Sequence, residues 1–425
     1  MALRKQGKYV EAIDLYRTLW DKHRAECNEW DGWGYAYCLR KMGRAEEALS
    51  ISSEIYTAHP DFPQIVNLYG WCLYDTEIGK RDNMAIEQNE GKFLQAASII
   101  VSITKQETYS PYVRTAFRVI DYLKSRAAYP ANRILEWADK LDPAQLSKEA
   151  GHGVDQTGKP VAYASDREKW YADRCKAFFE LGRFQECLDL SQQALAEFTT
   201  FHHDNDIWFR WRIALSKAEL GDKETAIVEL QAILARKKDW FIQHKVAQLL
   251  HELGRTEDAL KYAVDAALNP GDLEYKWELF ALMGTILGAQ SKPDDARKHV
   301  LLAAKLRQEH GWRIPQPLQA LIQAFSIDMA TSTSAAALHE ELKGYWKSRK
   351  LAEMPQLAGE IKNLIADGKS GFIRGDNSQD YYFKKRSFQG SWKRLGPGLR
   401  VKFYVEKNPD PGKRDIAVFI EEIES

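Results

Sequence analysis

Apolar and polar positions alternate along most of the chain with a helical period, and the helices are punctuated at fixed distances. A glycine is followed five positions later by a small residue and, after seven more, by a small or aliphatic one. Gly7 with Ala12 and Leu19, Gly43 with Ala48 and Ile55, Gly182 with Cys187 and Ala194, Gly221 with Ala226 and Ile233, and Gly254 with Ala259 and Ala266 all keep this spacing. Glycine permits the tight turn between two helices, the small residue lets neighbouring helices approach, and Pro60 or Pro270 ends the second helix. Ahead of each glycine an amphipathic helix fits, with Ala36 and Leu39, Ala214, or Ala247 and Leu250 on its buried face. A further unit without the glycine runs from Leu273 to Arg307, with Gly284, Leu287, Ala296 and Ala303 in the matching places.

The segments KMGRAEEALSISSEIYTAHP and ELGRTEDALKYAVDAALNP resemble the second half of the tetratricopeptide repeat (TPR). The resemblance implies an α-solenoid of helical hairpins with a surface that grips a protein partner. The predicted organisation is a first TPR-like array over 1–146, a loop over 147–166, a second array over 167–328, and a hinge with a connecting helix over 329–356. One lengthened repeat and one diverged repeat are expected between Leu68 and Pro143, where Arg81 to Gly91 displaces a second helix and Tyr112–Lys124 and Ala131–Leu141 restore a hairpin. The opening half-repeat supplies only the end of a first helix. A partner or another segment is expected to cover it, unless the natural start lies upstream of Met1.

After Pro355 the period shortens to two. The runs GEIKNLI, GFIRG, DYYFKK, LRVKFYVE and RDIAVFIEEI read as strands, enough for a small all-β barrel of the OB type over 357–425. Their order resembles a cold-shock domain: Gly359–Lys362 its first strand, Gly368–Ile373 its first RNA-binding motif, Asp380–Lys384 its second, Leu395–Gly398 the loop before strand four, and Ile416–Val418 part of the closing strand. The resemblance implies binding of single-stranded nucleic acid, RNA in preference to DNA. Asn363, Leu364 and Ser370 stand where that family usually has aromatics. Each base stack is worth ~1–3 kcal/mol, so their loss leaves affinity mainly electrostatic and weak. Phe372 and Tyr382 remain on the presumed binding face. Alternation puts Tyr382 and Lys384 on one side of their strand, and Tyr381 and Phe383 on the other.

Charge sharpens this picture. The 425 residues carry sixty Lys+Arg and sixty Asp+Glu, so coating of nucleic acid or membrane by bulk charge is excluded and any such binding is local. From Gly359 to Lys402 ten Lys/Arg face four acids, Glu360, Asp367, Asp376 and Asp380. The residues expected to hold nucleic acid are Phe372 and Tyr382 as stackers, Lys362, Lys369, Lys384, Lys385, Arg386 and Lys402 as phosphate partners, and Trp392 with Phe388 as substitute stackers.

Catalytic and metal chemistry finds little support. Cys27, Cys38, Cys72, Cys175 and Cys187 form neither a metal-binding pair spacing nor a disulfide framework, which suits a reducing, cytoplasmic setting. Met1 to Tyr9, basic and without an apolar segment, does not read as a secretory signal, and the longest apolar runs, such as Ala96 to Ile103, fall short of what spans a bilayer. His202 to Asp206 reads as a solvated loop with Asp206 capping the next helix, Arg374 to Asp376 as a hairpin turn, and most tryptophans as packing residues. Gly368 to Ser370 lacks the flanking helix of a phosphate-binding loop. The expected function is a non-enzymatic adaptor without cofactor, metal or membrane partner, joining a protein on its repeats to single-stranded nucleic acid on its barrel. The alternative is a scaffold that binds proteins only, for instance a regulatory subunit in a bacterial stress or defence complex.

Overall fold

The computed structural model describes residues 2–155, 157–365, 368–408, 410 and 412–423. Asp367, counted above among the acids, and Met1, whose place as the start was in question, lie outside the described residues. The chain forms two compact units, Met1–Gly221 and Asp222–Ser425.

The first unit stacks α1 (Ala2–Lys5), α2 (Tyr9–Lys22), α3 (Glu29–Lys41), α4 (Ala45–Ala58), α5 (Pro63–Leu73), α6 (Asn83–Gln88), α7 (Glu90–Ile103), α8 (Tyr112–Lys124), α9 (Ala131–Ala138), α10 (Asp166–Glu180), α11 (Phe184–Glu197) and α12 (Asn205–Glu219). The displaced helix of the lengthened repeat is α7, delayed by a π turn at Tyr74–Ile78 and the short α6. One core gathers Ile13, Leu39, Ile55 and Ile65; a second runs from Leu73 to Phe209. The stretch read as a loop, 147–166, carries an antiparallel hairpin, β1 (Gly151–Val154) with β2 (Pro160–Tyr163). Leu146 and Trp170, on either side of it, belong to the same core.

The spacing rule has a visible cause. Gly43 takes a φ of +75°; its N–H donates to the Arg40 carbonyl and that of Arg44 to the Leu39 carbonyl, each at 3.0 Å. This left-handed cap reverses the chain and satisfies the last carbonyls of α3. Five residues on, Ala48 is fully buried, as are Cys187, Ala226, Ala259 and Ala296 at their equivalent places.

In the second unit, α13 (Lys223–Leu234), α14 (Trp240–Glu252), α15 (Thr256–Leu268), α16 (Trp277–Ala289), α17 (Pro293–Glu309) and α18 (Gln316–Ala324) continue the pattern. Between α16 and α17 the glycine's place is taken by Ser291, which adopts the same cap at φ +58°. A side chain in this region costs roughly 1 kcal/mol. Ser291→Gly is therefore expected to stabilise the protein by up to about 1 kcal/mol, read as a rise in the urea midpoint at unchanged slope.

The connecting helix, α19 (Ala335–Ala352), packs on α15 and α17. Its anchor is Trp346, fully buried, stacked on Phe280 with ring centroids 5.4 Å apart, its Nε1–H donating to His299 Nε2 at 2.9 Å. His299 Nδ1 in turn lies 2.7 Å from the Asp295 carbonyl, so the ring is the neutral tautomer with its proton on Nδ1.

Then follow β3 (Gln356–Leu364), β4 (Ser370–Gly375), β5 (Asp380–Lys384), β6 (Arg400–Glu406) and β7 (Ile416–Glu422), closed into a barrel in the order β3-β4-β5-β7-β6. All pairs are antiparallel except β5 with β7. Ile361, Ile373, Phe383, Phe403 and Ala417 fill its centre. The molecule is thus mainly helical, stacked helices leading into a small five-stranded barrel, as the periodicities predict. No helix among the described residues is long and apolar enough to cross a membrane.

Candidate nucleic-acid interface

Pleating decides which side chains of β4 and β5 face outward. Tyr381 and Phe383 are buried in the barrel, whereas Tyr382 is half-buried and Lys384 exposed on the outer face. Phe372 lies opposite Tyr382 across the ladder, the rings meeting edge to face at 5.8 Å. Beyond β5 the chain tightens into a short 3-10 turn, Lys385–Ser387, held by the Lys385 N–H donating to the Lys369 carbonyl at 2.8 Å.

This turn swings a cluster of cations to one place. Lys369, Ser370, Tyr382, Lys384, Lys385, Arg386 and Trp392 line a shallow cleft of about 500 Å³ without a carboxylate among them. Lys384, Lys385 and Arg386 have no ion-pair partner among the described residues, and Lys385 Nζ lies 5.3 Å from the Trp392 ring. Trp392 is 45% exposed. Ser370, standing where the cold-shock resemblance calls for a ring, is nearly buried and forms part of the cleft wall.

Phe388 does not serve as a second stacker. It turns inward, bridges to Ile420 in β7 and is only 3% exposed, because the barrel needs an apolar plug where the 3-10 turn leaves the sheet.

The other half of the face is electrically closed. Asp380, its side chain 9% exposed, takes Lys362 at 2.7 Å, Arg374, and Arg414 at 3.6 Å. The Lys362 hydrogen bond first, and then those of Arg374, hold its carboxyl below the usual range. Arg414 also lies 4.9 Å above the Phe372 ring and so occupies a face on which a base would stack. Lys402 pairs with Glu421 across β6 and β7 at 3.0 Å. Six of the ten expected residues therefore share the cleft, while Phe372, Phe388, Lys362 and Lys402 lie outside its described lining. Reading along the sequence missed Arg414, which lies beyond the basic window and reaches the face only through barrel closure. It also missed the role of Asp380.

Motifs elsewhere serve the fold. The loop from His202 is solvated only in part: His203 and Asp204 are exposed, while His202 and Asn205 both bind Glu168, 1% exposed, with His202 Nδ1 at 2.9 Å from Oε2 and Asn205 Nδ2 at 2.7 Å from Oε1. Asp204, in left-handed backbone, occupies the cap position of α12, and Asp206 lies inside the helix. Arg374 and Gly375 belong to β4, and the turn follows at Asp376–Gln379. Cys187 is buried and its thiol is pushed up by burial, the state of an inert packing residue. Among the described residues no group of His, Cys, Asp and Glu is arranged to hold a metal.

Comparison with known proteins adds little to this geometry. A family model described as a domain of unknown function, DUF7017, matches residues 207–343. No curated protein matches the chain. Among solved structures, a tetratricopeptide repeat protein from Parabacteroides merdae is 12% identical over 76% of this chain and 95% of its own, with a TM-score of 0.33. The human IFIT1 dimer with m7Gppp-AAAA is 14% identical over 75% and 67%, at 0.38. BtubC from P. vanneervenii is 15% identical over 65% and 94%, at 0.32. At these scores the likenesses carry no argument.

Proposed function

We propose that the protein is a non-enzymatic adaptor whose barrel binds single-stranded nucleic acid, RNA in preference to DNA, weakly and with little sequence preference, while its helical repeats hold a protein partner. One observation carries the nucleic-acid half: four cations and two outward rings converge on one cleft, and none of its described lining residues is an acid. Such a surface neutralises phosphates and accepts a base between Tyr382 and Trp392. Lys369, Lys384, Lys385 and Arg386 are the phosphate partners in this reading, with Phe372, Lys362 and Lys402 secondary.

The test is polarisation of a labelled oligo(U) strand at two salt concentrations with the full chain. Expected is an affinity of ~10⁻⁴ to 10⁻⁶ M that falls steeply with salt. Binding absent at low salt, or unchanged by salt, contradicts the proposal. A protein-only scaffold is the second reading. It is favoured by the internal neutralisation of Lys362, Arg374 and Arg414 on Asp380.

Asp380 also yields a prediction that separates the two. Its carboxylate sits among three cations as a phosphate would, and competes with one. Asp380→Asn keeps the shape and removes the charge, so RNA affinity is expected to rise about tenfold, with a salt slope steeper by about one to two. An unchanged affinity in a folded variant means that these cations never meet the strand.

A further inference from the structure

The outer side of the β4–β5 ladder changes its chemistry from one end to the other. Cross-strand pairs face outward in succession: Ser370 opposite Lys384, Phe372 opposite Tyr382, and Arg374 opposite Asp380. The first sets a hydroxyl beside an ammonium, the second a ring beside a ring, the third a guanidinium beside a carboxylate. An anionic strand leaving the cleft along this ladder meets Phe372, covered by the Arg414 guanidinium, and then the carboxylate of Asp380, which already holds Lys362. Its path is open at the Ser370 end and closed at the Asp380 end.

The open end also holds the unpaired charge. Lys362, Arg374, Arg394, Arg400, Lys402 and Arg414 each lie against a carboxylate of the barrel. Lys384, Lys385 and Arg386 lie against none among the described residues. Beside them stands a hydroxyl in the same condition. Ser370 is only 7% exposed and lines the cleft, yet its Oγ makes no hydrogen bond among the described residues. A nearly buried hydroxyl without a protein partner is left for whatever fills the cleft. Where the cold-shock resemblance calls for a ring that stacks a base, the sheet therefore offers a donor to an oxygen.

Charge and chain continuity decide which phosphate suits this place. A diester inside a strand carries one charge, and its chain continues on both sides, one of which is closed along this ladder. A terminal monoester carries about −1.5 to −2 at pH 7, presents three acceptor oxygens and continues on one side only. Unpaired cations beside a sheltered hydroxyl match the second group.

We propose that the cleft takes the end of a single strand: a terminal phosphate monoester held by Ser370, Lys384, Lys385 and Arg386, with the end base beside the exposed Trp392. The proposal rests on the nucleic-acid half of the function above and narrows it from passing strands to chain ends.

Polarisation of oligo(U) carrying its fluorophore on an internal base, with the full-length protein, tests it. Strands with two hydroxyl ends, with a 5′-phosphate or with a 3′-phosphate are compared, and a hydroxyl-ended strand one nucleotide longer controls for the added charge. A terminal phosphate is expected to tighten binding about tenfold and the extra nucleotide less than about twofold; which phosphorylated strand gains identifies the end. Ser370→Ala is expected to reduce the phosphate gain about threefold and to leave the hydroxyl-ended strand unchanged. Equal affinity for phosphate- and hydroxyl-ended strands, an equal gain from the extra nucleotide, or a phosphate gain untouched by Ser370→Ala in a folded protein overturns the proposal and leaves the broader reading standing. Displacement of the strand by inorganic phosphate or uridine monophosphate as readily as by unlabelled strand also overturns it, since the cleft then takes phosphate without a chain. Failure of every strand to bind overturns the broader reading itself.

Discussion

Reversing Lys384, Lys385 and Arg386 together to glutamate is expected to lower the affinity for oligo(U) by roughly a hundredfold at low salt and to flatten the salt dependence by about two in log–log slope. Each phosphate neutralised on a single strand contributes about 0.7 to that slope, and three are removed. The variant is expected to fold normally: Lys384 and Arg386 are exposed, Lys385 is half-buried, and none has an ion-pair partner among the described residues to lose. Far-ultraviolet circular dichroism checks this. Phe372→Ala with Tyr382→Ala probes the stacking part, and the smaller effect is expected at Phe372, whose face Arg414 already covers. If a folded triple reversal binds as tightly as the parent, the cleft is not where the strand lies.

Trp346→Ala is expected to destabilise the second unit by about 3–5 kcal/mol. The indole is fully buried, loses its stack on Phe280, and leaves His299 Nε2 without its donor. His299 brings a pH dependence. Burial holds its pKa down to about 4 against an ordinary 6.5. Between these values the unfolded chain binds a proton that the folded one refuses. Stability is therefore lost as pH falls through about 6.5 and levels off below about 4, a total on the order of 3 kcal/mol. His299→Gln, which can still accept from the indole, is expected to make the loss across that window shallower, the part due to the buried His244, also held down to about 4, remaining. Urea midpoints of the two proteins from pH 7 to pH 4 measure the difference, and parallel profiles would contradict it.

Much of this architecture is legible in the chain because its punctuation is local. Gly43, Ala48 and Ile55 state a turn, a close approach and a buried face within a dozen residues, and the alternation around Tyr381 to Lys384 states which rings are inside. Ser291 escapes the rule because the cap is a backbone conformation, which serine can adopt at a cost. The hairpin of β1 and β2 escapes because neither strand buries a residue, so no apolar period marks it. Phe388 reads as a loop ring, since nothing in its neighbourhood announces the bridge to Ile420. At the site, the run Lys384-Lys385-Arg386 is contiguous and therefore visible. The network on Asp380 is not, for Lys362, Arg374 and Arg414 come from three parts of the barrel.

Closure of the barrel has a further consequence. With β3 joined to β6 and β5 to β7, each strand has a neighbour on both sides, and no row of backbone donors and acceptors is left to recruit a sixth. Strand addition is thereby closed to a partner, which leaves side chains and loops to meet it. The same feature denies neighbouring copies a template for cross-strand growth at the barrel.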